Sequence, residues 1–349
     1  MDKSGATGPG RVMSARLIAL YDGITPPRAD DLDKPLYASQ PIPGYDSYLV
    51  GKDREGHACL LVAAVDPSGK LQSPIRLENL DVQFELRCHV RRNRDTESIG
   101  IFTVIRCGSL DGETIRYFLM VCETIVSLIG DKPSLRAVAA AVHRLAAIFQ
   151  KVERPPVRPI NGLFGELYLI WRSGSPAKAV AAWRTDDTAR FDFSDGDIRL
   201  DVKATGGRLR AHVFSYEQCN PPPGSIAIVA SLFVERALDG LSLRFLIEDI
   251  GGRIAGHPDL LLKLHDVITG TLGQNLSEAL SVTFDAKLAD SSLRFFKLDD
   301  VPALRGSLPN GVSDVHFRSD LSVLPSLSVQ ALVDRDAMFW DLLPRGDAT

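Results

Sequence analysis

Cysteine is scarce and unpatterned in this chain. The five cysteines, Cys59, Cys88, Cys107, Cys122 and Cys219, are odd in number, widely spaced and never in a C-x-x-C pair. That excludes a disulfide framework and a thiolate zinc site and fits a reducing cytoplasm. The seven histidines show no H-x-x-x-H spacing. No apolar run reaches the length of a membrane span. The opening MDKSGATGPGRVMSARL has no apolar core before a small-residue cleavage site, so no signal peptide is expected, and its Gly-rich first ten residues are expected to be disordered. No phosphate-cradling glycine motif occurs either: Gly206-Gly207 and Gly251-Gly252 lack the Walker pattern, which disfavours an ATPase or kinase.

What is there is the balance of an ordinary globular protein, 45% hydrophobic and 24% charged over 349 residues, enough for two domains. The net charge of −4 rules out a basic nucleic-acid binder only for the molecule as a whole. Arg87–Arg94 holds four arginines and no acid, which a solvated face also explains. Arg199–His212 carries Arg199, Lys203, Arg208, Arg210 and His212 against the single acid Asp201.

Residues 1–130 are expected to be a β-rich domain, with strand-like runs at Tyr48–Val50, Cys59–Ala64, Asp81–Val90, Ile99–Cys107 and Thr114–Val126. Turn signals separate them at 66–69 and at Asp111-Gly112. Residues 131–160 read as a helix capped by Ser134 and a proline-rich linker, VERPPVRPIN, with His143 a packing or surface residue. Residues 161–250 read as a helix over Leu163–Arg172 followed by strands at Arg190–Ser194, Asp197–Ala204, Ile226–Glu235 and Leu241–Ile247. Residues 251–349 form a C-terminal α/β extension, with a helix over Asp259–Thr269 and short strands near Leu293–Leu298 and Ser313–Phe317. The fold class expected is α+β or α/β: a β-rich domain, then an αβ sandwich around a central sheet.

The chemistry concentrates in RFDFSDGDIRLDVKAT. A hairpin turn at Asp195-Gly196 pairs Phe193 with Ile198 and Phe191 with Leu200. Alternation then puts Phe191, Phe193, Ile198, Leu200, Val202 and Ala204 on one face, and Asp192, Arg199, Asp201, Lys203 and Thr205 on the other. Asp192 and Asp201 become diagonal neighbours, roughly 7–8 Å apart at Cα. Carboxylates converging to about 4 Å repel by roughly 4 kcal/mol at a surface-like dielectric, a penalty that a divalent cation removes. Mg²⁺ favours a few carboxylates with water and a phosphate, and Lys203 could steady the attacking water or the phosphate charge.

Asp192, an eight-residue gap and Asp201-Val202-Lys203 resemble the PD-(D/E)XK nucleases. The resemblance implies that Asp192 and Asp201 bind Mg²⁺ or Mn²⁺, that the Val202 carbonyl adds a ligand, and that Lys203 assists hydrolysis. Phe191 stands where the name has Pro. Two further segments extend the likeness. Glu166, the one acid in NGLFGELYLIW, fits the further metal ligand that many members place on the preceding helix. Gln218 in AHVFSYEQ lies where several members carry Gln or Lys, but Ser215-x-x-Gln218 equally reads as a helix capping box. Together these segments resemble a bacterial PD-(D/E)XK family linked to restriction or phage defence, over most of the chain.

The second match, Asp285-Ala286-Lys287, has no acid-bearing partner and reads as a solvated strand face. Asp195 and Asp197 belong to turn chemistry, and Cys219, Trp171 and Trp183 to the core. The leading expectation is a Mg²⁺-dependent DNA endonuclease of restriction or defence, with Arg199, Arg208, Arg210 and His212 toward nucleic acid. A double-strand cut would call for two copies, as a homodimer, or two events. The alternatives are a catalytically silent nuclease-fold subunit binding nucleic acid or a protein partner in a defence complex, and a metal-dependent hydrolase of another substrate. No membrane partner is expected.

Overall fold

The computed structural model describes residues 17–27, 36–64, 72–93, 96–186, 188–336 and 339–344. The expected turn at 66–69 and the first ten residues lie outside that range. Two compact units form: Met1–Pro156 with Gly251–Glu278, and Val157–Ile250 with Ala279–Thr349. The segment expected to be one extension, 251–349, is thus divided between them.

In the first unit, alternating apolar residues build strands β1 (Leu36–Ile42), β2 (Tyr45–Lys52), β3 (Ala58–Val62), β4 (Ile75–Arg76), β5 (Leu80–Asn93) and β6 (Thr96–Cys107). The order is β1-β2-β3-β6-β5-β4, and β1 also pairs with β5 in parallel, Tyr37 opposite Val90. That extra pairing closes five strands into a barrel, which removes their free edges. Tyr37, Leu49, Cys59, Leu61, Cys88, Val90 and Val104 pack together as one buried cluster. All five cysteines are buried and unpaired.

One expected strand is a helix. Thr114–Val126 lies within α1 (Gly112–Ile129), and Asp111 caps it by accepting the Thr114 amide at 2.8 Å instead of opening a hairpin. A fully buried helix presents an almost unbroken apolar run, which periodicity does not separate from a buried strand. Helix α2 (Leu135–Val152) starts at Ser134 as expected, and its His143 is exposed.

In the second unit, α3 (Ile160–Arg172) and α4 (Pro176–Ala182) precede β7 (Phe193–Asp195), β8 (Ile198–Thr205), β9 (Ala211–Ser215), α5 (Tyr216–Cys219), β10 (Ile226–Phe233) and β11 (Arg236–Ser242). The expected strand Leu241–Ile247 is instead the end of β11 and the start of α6 (Leu243–Arg253), with Leu243, Leu246, Ile247 and Ile250 buried at helical spacing. Helix α7 (Pro258–Leu272) belongs to the first unit. Strands β12 (Thr283–Phe284), β13 (Arg294–Lys297) and β14 (His316–Asp320) complete the chain's set among the described residues.

The central sheet runs β13-β10-β8-β7, with β8 and β10 parallel and in register from Ile198↔Ile226 to Thr205↔Phe233. Helix α3 lies close on one face because it carries Gly165: a Cβ there would stand 3.0 Å from the Ala204 Cβ and 3.1 Å from Val202. On the other face, Ala227 and Val229 pack with Phe296, Phe214 from β9 and Cys219 from α5. Val229 lies opposite Asp201, so Asp201 and Lys203 share that second face. Among the described residues no helix is long and apolar enough to cross a membrane.

His265 on α7 is 1% exposed, and its Nδ1 is 3.1 Å from the Tyr117 hydroxyl. Burial pushes the imidazole down to about 4 from its ordinary 6.5. The unfolded chain therefore binds a proton that the folded one refuses between those values. Stability from this group is complete above pH 6.5 and lost as pH falls toward 4. His265→Gln should remove about 2 kcal/mol of the stability loss between pH 6.5 and 5, read from urea unfolding at each pH. An unchanged pH slope would show that His265 is not the linked group.

Candidate active site

The hairpin is built one residue later than the alternation suggested. Its loop is Gly196-Asp197, with Gly196 at φ 51, and the pairs are Asp195↔Ile198, Ser194↔Arg199 and Phe193↔Leu200. Moving the turn by one residue shifts each pairing by two and leaves every face unchanged, so the apolar pattern fits both registers equally. A second difference follows at residues 191–192, where the chain bends. Phe191 joins Phe214, Val229 and Phe296, on the face away from α3. The bend frees the Asp192 carboxylate to accept the Val202 amide at 2.8 Å. Asp192 therefore docks on the backbone midway between Asp201 and Lys203.

Around this contact three buried carboxylates gather, each with its own compensation. Asp192 Oδ1 takes Arg158 Nη1 at 3.0 Å, with Arg184 Nε at 3.8 Å. Asp201 Oδ1 accepts Gln218 Nε2 at 3.0 Å, and Lys203 Nζ lies 2.8 Å from its Oδ2. The Lys203 ammonium is the one partner of that Oδ2 among the described residues. Glu166, on α3, accepts Trp183 Nε1 at 2.6 Å and Arg184 Nε at 3.1 Å, with Arg158 at 3.7 Å.

Burial pushes the Glu166 carboxyl up, and the Asp192 charge adds to this against Arg184, the Trp183 N–H and Arg158. Burial raises Asp201 too, against the attraction of Lys203. Both groups feel Asp192 and Arg158, which makes the cluster one electrostatic unit.

Gln218 makes the expected capping box and also touches the candidate acid Asp201. It closes the capping box with Ser215, and the same amide donates to Asp201 while its Oε1 lies 3.4 Å from Lys203 Nζ. Lys203 also sits 4.9 Å from the Phe214 ring centroid. Of the residues expected to face nucleic acid, Arg208 is exposed, and Arg199 bonds the Gly196 and Ile198 carbonyls of its own turn. Arg210 reaches the Ser231 and Ser292 carbonyls, and His212 is buried against the Ser231 hydroxyl. Burial pushes His212 down to about 4. Asp285 caps the helix Ala286–Ser292 rather than lying on a strand.

Sequence reasoning missed Arg158, Arg184 and the polar use of Trp183. Arg158 lay in a segment read as linker, Trp183 was read as a core residue, and Arg184 drew no reading. The available signal was an arginine beside a buried tryptophan, which needs an anion to be tolerated there.

Metal-ligand chemistry also occurs in the first unit. Asp53, Glu55 and His57, between β2 and β3, are the one group of three such side chains among the described residues whose donor atoms lie within 4.8 Å of one another. Arg106 Nη1 already stands 3.4 Å from Asp53, 3.3 Å from His57 and 3.7 Å from Glu55. Glu166, Asp192 and Asp201 are not drawn together to that extent. Their donor set still fits a hard divalent cation: buried carboxylate oxygens, those of Asp192 and Asp201 at one hairpin and those of Glu166 on α3. Mg²⁺ and Mn²⁺ need only one or two protein carboxylates, with water and phosphate filling the rest.

A family model described as "Putative PD-(D/E)XK family member, (DUF4420)" matches residues 33–322. No curated protein and no solved structure matches the chain.

Removing one partner of a buried ion pair leaves the other charge uncompensated, typically at about 3–5 kcal/mol. Arg184→Met should destabilise the protein by that order, and Arg184→Met/Glu166→Gln by clearly less. Equal losses in urea melts of the single and double variants would show that the two side chains are not energetically coupled.

Proposed function

As the chain belongs to this PD-(D/E)XK family, we propose that Asp192, Asp201, Glu166 and Lys203 form the centre of a divalent-metal phosphodiesterase, a DNA endonuclease. The observation that carries this reading is the Asp192 carboxylate seated on the Val202 amide, which joins the lone Asp to Asp201-Val202-Lys203 in one locus. Asp192 and Asp201 would hold Mg²⁺ or Mn²⁺, with the Val202 carbonyl and Glu166 completing the protein's donors. When bound, the cation supplies Lewis acidity at the phosphate and makes coordinated water a stronger nucleophile.

The chain's own groups do the rest. Lys203, fixed by Asp201, Gln218 and the Phe214 ring, presents its ammonium where charge grows on the phosphate oxygens as water adds and the P–O bond to the leaving oxygen breaks. Gln218 holds Asp201 and Lys203 at fixed spacing and so positions both. Arg208, exposed on the loop before β9, is the side chain best placed for the phosphate backbone among the four expected there. Restriction or phage defence is the setting the family resemblance suggests.

One observation favours the silent-subunit reading: arginines already neutralise Asp192 and Glu166. The two readings separate on plasmid cleavage with Mg²⁺ or Mn²⁺. Asp201→Asn and Lys203→Ala should each lower the cleavage rate by about 10²-fold or more. Wild-type rates in both variants would place the chemistry elsewhere. A folded wild type that binds the plasmid without nicking it would favour the silent subunit.

A further inference from the structure

We propose that Arg158 is the protein's own stand-in for the divalent cation, released to the substrate phosphate as metal binds, so that metal and nucleic acid load cooperatively. The inference rests on the nuclease reading and deepens it by assigning how the site is loaded.

The two arginines of the site differ in a way that separates their roles. Arg184 is 1% exposed in its side chain and donates to Glu166, while its backbone amide donates to the Asp192 carbonyl. It is part of the wall. The Arg158 side chain is 27% exposed and reaches in from the solvent side to Asp192 Oδ1 at 3.0 Å, with Glu166 Oε1 at 3.7 Å. Two of the three acids are thus in contact with it, and its charge also acts at longer range on Asp201. That is the electrostatic position of a metal ion, filled by a cation on a flexible stem.

Arg158 sits between Pro156 and Pro159. Fixed φ angles at both prolines limit backbone travel, so any exchange is a swing of the side chain. A divalent ion on Asp192 would repel the guanidinium and take its carboxylate. The displaced guanidinium then needs another anion, and a phosphodiester matches its planar donor fork. Metal bound without nucleic acid leaves Arg158 without that partner; metal bound with it does not. Linkage makes the effect reciprocal: each ligand strengthens the other by the same factor.

The test is titration calorimetry of Mn²⁺ into wild type, Arg158→Gln and Arg158→Lys, with and without a short phosphorothioate DNA duplex, circular dichroism confirming the fold. Wild type should bind Mn²⁺ about tenfold tighter when the duplex is present. Arg158→Gln should bind Mn²⁺ about tenfold tighter than wild type without duplex and gain little from it. Arg158→Lys keeps the charge without the planar fork, so it should bind Mn²⁺ alone as wild type does and gain less than wild type from the duplex. Equal Mn²⁺ affinity of Arg158→Gln and wild type overturns the inference, and if wild type still nicks plasmid the nuclease reading stands. Absence of Mn²⁺ binding in wild type and both variants, together with no cleavage, overturns both.

Discussion

The contact between the Asp192 carboxylate and the Val202 amide is where the second unit's fold and its chemistry meet. A side chain bonding the backbone of a neighbouring strand needs the chain to leave its ladder, and the bend at 191–192 does this one step before β7 begins. The cost is a buried charge beside two others. Each must be compensated, because an unpaired buried carboxylate would either unfold its surroundings or take up a proton. Arg158, Arg184, Trp183, Lys203 and Gln218 are the compensation, and their placement follows from the three acids they serve. Gly165 belongs to the same account, since α3 could not bring Glu166 so near the sheet with a larger residue against Ala204.

Much of this was legible in the residues. The hairpin's faces from Phe193 to Thr205, the buried Glu166 and the capping box at Ser215 follow from alternation, isolation of an acid in an apolar helix and capping chemistry, while Phe191 departs at the bend. The register was not legible, because a two-residue shift preserves every face. Thr114–Val126 and Leu241–Ile247 failed for another reason: short or continuous apolar runs carry no period that separates helix from strand. The barrel closure between β1 and β5 is a long-range pairing that no local pattern announces. Arg158 and Arg184 were invisible because compensation is a property of space. Nothing in ERPPVRPIN says that its second arginine meets an aspartate more than thirty residues on.

The first unit shows the same physics with a different balance. Asp53, Glu55 and His57 bring their donor atoms closer together than the three acids of the second unit do. Yet Asp53 Oδ1 is taken by the amides of Glu55 and His57, the pattern of an aspartate organising its own turn. Arg106 then neutralises the group from β6, and Glu55 is largely solvated. Water and one guanidinium leave little electrostatic demand for a further cation there.

Proximity of donors and burial of negative charge therefore pick out different places, the first in the first unit and the second in the second. In the second unit burial raises Glu166 and Asp201, even with the Lys203 ammonium paired to Asp201 and arginines beside Glu166. Desolvated negative charge of that kind attracts a doubly charged ion far more strongly than a solvated cluster does. The same buried charge explains why two arginines are drawn in; they differ in that one is sealed in the wall and the other is partly open to solvent. Under the proposal made above, a cation on a flexible stem would hold the carboxylates in place and leave them open to exchange with a metal ion.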